Sequence, residues 1–339
     1  MPDQTIHPVS QAMAGGSHGL LARTYYRVKP YLPLGLRWAV RRIRIPSILR
    51  RNADSWPIDE SASGRPANWN GWPDGKKFAL VFTHDVESDA GLQNVRNLAE
   101  LETHHGFRSS FNFIPEGSYE DPVELRAWLE DRGFEIGVHD LYHDGHLYES
   151  RESFSLKAES INHYLRKWRA VGFRSGFMLR QLDWLHELNL LYDTSTFDTD
   201  PFEPQPEGSH TIFPFHVQPP AGVEGPGYVE LSYTLPQDST LFLLLREKTP
   251  AIWQRKLDWI ARNGGLALIN IHPDYVDFSN QRISNETYPV ALLTEFMEYI
   301  RSHYADAYWN PLAKDLAFWY RNRHPANGLA ENTPAPRMS

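Results

Sequence analysis

Two histidines four positions apart and two carboxylates two positions apart are the residues of this chain whose types and spacing could do chemistry together. The first pair, His139 and His143, lies in Ile-Gly-Val-His-Asp-Leu-Tyr-His over 136–143; the second, Asp85 and Glu87, lies in Phe-Thr-His-Asp-Val-Glu over 82–87. At a spacing of four, two imidazoles sit on one side of a helical turn and can reach one metal ion. At a spacing of two on a strand, two carboxylates point to the same face. Two His and one carboxylate make a ligand set that leaves positions open for water and substrate. The remaining carboxylate can then serve as a base. That combination is the equipment of a metal hydrolase.

The elements that must position these groups follow from hydrophobic patterning. Residues 78–83 form an apolar run typical of a buried strand, and a helical pattern follows over about 91–105. Strands are expected at 109–114, 134–138, 172–174, 190–193, 229–233 and 265–271. Helices are expected at 121–131 (with Pro122 near its start), 152–170, 180–188, 251–263 and 288–304. Alternating strands and helices predict a parallel sheet covered on both faces, and about seven such units suit a barrel. Chemistry in parallel barrels collects at the carboxyl ends of strands. Asp85, Glu87, His139, Arg174, Asp193 and His272 all fall at such ends.

Composition frames these expectations. The 339 residues, 41% hydrophobic and 22% charged, suit a globular chain with a substantial core, and a net charge of −8 gives the body no general attraction for nucleic acid. Without cysteine there is neither a disulfide framework nor a thiolate site, so a transition metal must rest on His and carboxylate. No signal peptide or transmembrane run is read, which makes cytoplasmic the expected location. Residues 22–52 carry nine basic side chains and no acidic one. This arm has two readings: a peripheral contact with anionic lipid, or an arm packed on the acidic body, its helix interrupted by Pro30, Pro33 and Pro46.

Four short motifs in order make residues 77–305 resemble the polysaccharide deacetylases of carbohydrate esterase family 4, the NodB-homology domain. Thr83-His84-Asp85 resembles the first motif, in which one Asp is the base and the next binds metal; Val86 stands at the second place and Glu87 one position later, an Asp-x-Glu version. His139 and His143 match His-x-x-x-His. Arg174-Ser175-Gly176 matches Arg-x-Pro without its proline. Leu268 to His272 matches the small apolar run ending in His, while the stretch 192–198 is a looser match to an Asp-rich motif. The resemblance implies a distorted (β/α)7 barrel, here with a basic N-terminal extension, and hydrolysis of N-acetyl groups on amino sugars using a divalent metal, most often Zn2+. It implies Asp85 as base, Arg174 holding that base ionised, His272 as general acid, and Glu87, His139 and His143 as metal ligands. Asp193 is open between a loop or N-cap residue and a partner of His272.

The expected organisation is a basic extension over 1–60, a linker over 61–76, the barrel over 77–322 and a disordered tail over 323–339. The proline- and glycine-rich stretch 199–228 reads as a lid or specificity element. Its Phe202, Phe213, Phe215 and Tyr228 could meet sugar rings or pin the loop to the barrel. The expected partner is an N-acetylated glycan in surface-polysaccharide metabolism. Two alternatives stay open: an amidase of the same barrel acting on a ureide-like amide, and an inactive glycan-binding relative.

Overall fold

The computed structural model describes residues 34–223, 225–279 and 283–324. The start of the basic arm and the tail from 325 onward lie outside these residues.

Strand β1 (Phe78–Val86) is buried along its whole length. Its alternate residues serve two cores, as the two-residue period of a strand requires. Phe78, Leu80, Phe82 and Val86 pack outward with the helices, whereas Ala79 and Val81 pack inward with Tyr192, Val229, Leu231, Leu266 and Leu268. Thr83 and Asp85 continue the inward row toward the carboxyl end.

Around β1 run β2 (Ser109–Phe113), β3 (Glu135–His139), β4 (Gly172–Arg174), β5 (Tyr192–Asp193) and β7 (Tyr228–Glu230), each parallel to its neighbour, with β8 (Leu266–Ile271) parallel on the other edge of β1. A parallel bridge between Leu235 and Ile269 brings the chain beyond β7 onto β8 and closes the ring. Below that bridge, β6 (Phe215–Val217) lies antiparallel on β7, and Leu266 N–H donates to Ile212 O at 2.7 Å. This inserted segment is the distortion of the seven-stranded barrel.

The crossover helices are α2 (Asp89–His105), α3 (Val123–Glu130), α4 (Arg151–Trp168), α5 (Ala251–Asn263) and α6 (Ala291–Tyr304). Ser88 and Ser150 cap α2 and α4 through their hydroxyls, and Gly106 ends α2 in the left-handed conformation that glycine adopts freely. Past β9 (Tyr308–Trp309), helix α7 (Ala313–Arg323) presses Ala313, Leu316, Ala317 and Tyr320 into the inner core and plugs the amino-terminal end.

Two local expectations change. Residues 180–188 form no α-helix; they make a 3-10 turn at Trp184–Glu187, because Leu182 O is taken by Leu185 N–H and by Tyr228 Oη. Conversely, Pro46 does not break up the described part of the arm, since α1 (Leu34–Arg51) runs through it; Pro30 and Pro33 lie outside the described residues. Proline inside a helix costs about 3 kcal/mol. Packing of Ile45, Ile48 and Leu49 against the body offsets it, aided by Arg41 donating to Phe202 O at 3.0 Å and Arg42 to Leu243 O at 2.8 Å. The described part of the arm therefore lies on its own chain.

In the 199–228 stretch, Phe202, Phe213 and Tyr228 are buried, so these rings pin the segment to the barrel. Among the described helices, none is long and apolar enough to cross a membrane.

Candidate metal centre and catalytic groups

β1 and β3 deliver Asp85 and His139 at their carboxyl ends, and the loops that follow deliver Glu87 and His143. The segment after His139 is not a helical turn, contrary to the spacing argument. Asp140 and His143 both take positive φ, 57° and 55°, and these left-handed residues fold the loop so that the second imidazole returns to the first. The ring centroids of His139 and His143 are 4.9 Å apart, and His143 stacks on Phe177 at 4.4 Å.

Gly176 shapes this loop. A Cβ there would come within 2.8 Å of His143 Cδ2 and overlap the Asp140 carboxylate. Gly176 N–H also donates to Asp140 Oδ2 at 3.1 Å. A proline could supply neither the space nor the donor, which accounts for its absence from the Arg174-Ser175-Gly176 motif.

The three expected ligands converge. One donor atom from each of Glu87, His139 and His143 lies within 4.8 Å of the other two. Glu87 Oε1 is 3.2 Å from His143 Nε2 and 3.8 Å from His139 Nε2. His139 Nδ1 sits 3.0 Å from Arg174 O, which can only accept; Nδ1 therefore carries the proton and Nε2 offers a lone pair. Both Nε2 atoms are buried with no hydrogen-bond partner. Buried polar atoms normally find partners, and two orphaned imidazole nitrogens beside a carboxylate fit a divalent cation of the Zn2+ type.

Asp85 is buried beside this set, with Oδ2 4.0 Å from His139 Nε2. Its carboxylate accepts from Asn112 Nδ2 at 2.9 Å, Asn270 Nδ2 at 2.8 Å and Arg174 Nη1 at 3.0 Å. Burial alone would raise its pKa; the Arg174 guanidinium, then His139 and His272, hold it well below the usual carboxylate range. Arg174 is fully buried and also donates to Thr194 O, Thr83 Oγ1 and Asn270 Oδ1. Room for Asn112 comes from Gly137, whose Cβ would overlap the Asn112 amide. His84 points to the other face of β1, where its Nε2 meets Glu102 at 2.7 Å.

His272 follows β8, its Nε2 3.7 Å from Glu87 Oε1. The partner of its Nδ1 is Asp238, at 2.7 Å, not Asp193. Asp193 instead accepts from Ser195 N and Oγ, at 2.9 and 2.8 Å, and lies beside Glu230. Burial and the adjacent Asp193 push the Glu230 carboxyl well above its usual range. Burial would lower the His272 pKa, but the Asp238 carboxylate raises it to about 10.

Sequence reasoning missed Asp238, Asn112 and Asn270. Two of the three had a signal: Asn112 is the register partner of Asp85 across β1 and β2, and Asn270 precedes His272 by two, one strand period. Asp238 opens the π-helical turn Ser239–Leu244, and an acid before an apolar run is an N-cap signal at most.

No protein-family model and no curated protein matches the sequence. Solved structures do match. A protein from Mycobacterium smegmatis assigned as a polysaccharide deacetylase superposes with a TM-score of 0.57 at 18% identity, covering 81% of this chain and 99% of that one. The peptidoglycan deacetylase PdaC from Bacillus subtilis gives 0.43 at 11% identity, over 74% and 95%. BA3943, a CE4 family pseudoenzyme from Bacillus anthracis, gives 0.43 at 13%, over 73% and 67%. The first of these carries the comparison: this chain has the barrel of a polysaccharide deacetylase and resembles that family in fold.

Proposed function

We propose that this chain is a metal-dependent hydrolase that removes an N-acetyl group from an amino sugar in an oligo- or polysaccharide of the cell surface. The observation that supports it best is one cluster that brings together two orphaned imidazole nitrogens and Glu87 for a cation, flanked by an ionised carboxylate, Asp85, and a protonated imidazole, His272.

Glu87, His139 and His143 would hold the cation, with Zn2+ the best match to two nitrogens and one oxygen. When bound, it supplies Lewis acidity that lowers the pKa of water and polarises a carbonyl. Asp85 takes the proton of the attacking water on Oδ2, the oxygen nearer His139. Arg174 keeps that carboxylate ionised at neutral pH, and Asn112 and Asn270 fix its plane. His272 gives its Nε2 proton to the departing nitrogen, and Asp238 stabilises the imidazolium that makes this donation available. Acetate and a free amine leave.

The test is acetate release from N-acetylglucosamine oligomers by the protein with Zn2+, after chelation, and as His139→Ala. Release that survives both chelation and His139→Ala would remove the cation from the reading. Binding of the oligomers with no acetate released under any condition would instead identify an inactive glycan-binding relative.

The exposed Arg44, Arg50 and Arg51 of α1, with Ile43 80% exposed among them, suit contact with an anionic membrane surface. That contact fits a substrate carried at a membrane.

A further inference from the structure

Glu87 is the outlying member of the cation set. It stands beyond the end of β1, so no strand ladder fixes its backbone, and its longer side chain has more freedom than an aspartate. Something else must hold it.

We infer that Asp274, two residues after His272, is the positioning residue that turns Glu87 into a cation ligand, and that Gly91 exists to make room for it. This rests on the proposed cation site. Asp274 Oδ2 accepts Glu87 N–H at 3.0 Å, and Asp274 Oδ1 accepts the Ser88 hydroxyl at 2.5 Å. Two consecutive residues of the loop after β1 are thus clamped by one carboxylate from the turn after β8. The neighbouring Tyr275 donates its hydroxyl to Glu87 Oε2 at 3.2 Å, leaving Oε1 facing the imidazoles. The turn is itself fixed to α2: Asn94 Nδ2 donates to Pro273 O and Val276 O, both at 3.0 Å. Backbone and side chain of Glu87 are therefore both set by Asp274 and Tyr275, and the turn that carries His272 also sets the carboxylate it faces.

Gly91 gives independent support. It is the third residue of α2, where alanine would be the better helix former. Its φ is not in the left-handed region, so conformation does not demand glycine. Space does: a Cβ at 91 would lie 2.6 Å from Asp274 Cγ and 2.7 Å from Oδ1. Alanine there must displace the carboxylate that clamps Glu87.

The test titrates Zn2+ calorimetrically into metal-free protein, with the visible absorption of the Co2+ form as a second readout. Thermal unfolding without metal checks that each variant folds. Outer partners of metal ligands are worth about 10- to 100-fold in affinity. Asp274→Ala and Gly91→Ala should each weaken Zn2+ binding by about 10-fold or more and change the Co2+ spectrum. Asp274→Asn keeps a carbonyl acceptor for Glu87 N–H and should lie within a few-fold of the parent. Tyr275→Phe should lose a smaller factor; if neither alanine variant folds, Tyr275→Phe decides, and parent affinity there counts against the clamp. Parent affinity and spectrum in Gly91→Ala and Asp274→Ala would overturn the inference. A parent protein that binds no Zn2+, with His139→Ala indistinguishable from it, would instead overturn the cation site itself.

Discussion

Asp238 grips His272 twice: Oδ1 meets the ring Nδ1 at 2.7 Å, and Oδ2 accepts the backbone N–H at 2.9 Å. Tyr288 Oη donates to the same Oδ2 at 2.8 Å. One carboxylate thus sets the rotamer, the tautomer and the charge of the imidazole, so that Nε2 carries the transferable proton.

Asp238→Asn should therefore act through pH as well as rate. His272 is raised to about 10 in the folded protein, so it is protonated at neutral pH and loses its proton only as pH climbs through that range. Removing the Asp238 charge lowers this pKa. The alkaline limb of acetate release should move down in pH, with neutral turnover falling about 10²- to 10⁴-fold, the usual range for losing acid catalysis. A pH–rate profile with an unmoved alkaline limb would separate Asp238 from the proton donor.

Asp85→Asn should leave Zn2+ affinity within a few-fold of the parent while turnover drops by about 10²-fold or more. It should also lower stability. Asp85 accepts from three donors, and an asparagine amide would set its NH2 against one of them. Asn270 cannot simply rotate its amide, because its Oδ1 accepts from Arg174 and Thr83. The expected cost is about 1–3 kcal/mol, read by denaturant unfolding beside the calorimetric titration. Full turnover would remove Asp85 from the role of base.

Arg174→Met strands Asp85 as a buried charge without its cation. Breaking a buried pair costs about 3–5 kcal/mol. The sign with pH follows from Asp85, whose folded pKa is depressed. Its stabilising contribution is present above the unfolded value of about 3.9 and is lost as pH falls through the folded value. Arg174→Met raises that carboxyl, so the acidic limb of activity should shift upward and the stability lost at neutral pH should shrink in acid. Equal destabilisation at pH 7 and pH 3 would mean that packing, not charge, is what Arg174 supplies.

Much of this site is legible in the sequence because strand ends fix it. Asp85, His139, Arg174 and His272 end or follow apolar runs whose burial is forced, and the two-residue period decides which side chains face inward. Where long-range partners decide, legibility stops. Asp193 occupies a strand end as expected, yet faces Ser195 and Glu230, because β5 holds only two residues and its register is set by β4 and β7. Asp238 lies on a non-repeating turn that no periodicity marks. The approach of His143 to His139 comes from two left-handed residues, not from the helical spacing that suggests it. Helix α1 survives Pro46 because tertiary packing outweighs propensity.

The proposed membrane contact of α1 is testable apart from catalysis. Ile45, Ile48 and Leu49 face the body, leaving Arg44, Arg50 and Arg51 exposed with Ile43. Each basic residue near an anionic surface is worth about 1 kcal/mol, and the attraction falls off within a Debye length. The full chain should co-sediment with vesicles containing phosphatidylglycerol, bind less as salt rises, and ignore pure phosphatidylcholine. Reversing Arg44, Arg50 and Arg51 to Glu should lower that binding by about 10²-fold or more while leaving acetate release from a soluble oligosaccharide unchanged, since none of the three reaches the barrel mouth's reacting groups. Binding to anionic vesicles that is indifferent both to salt and to the triple reversal would mean that this helix serves the chain's own packing alone.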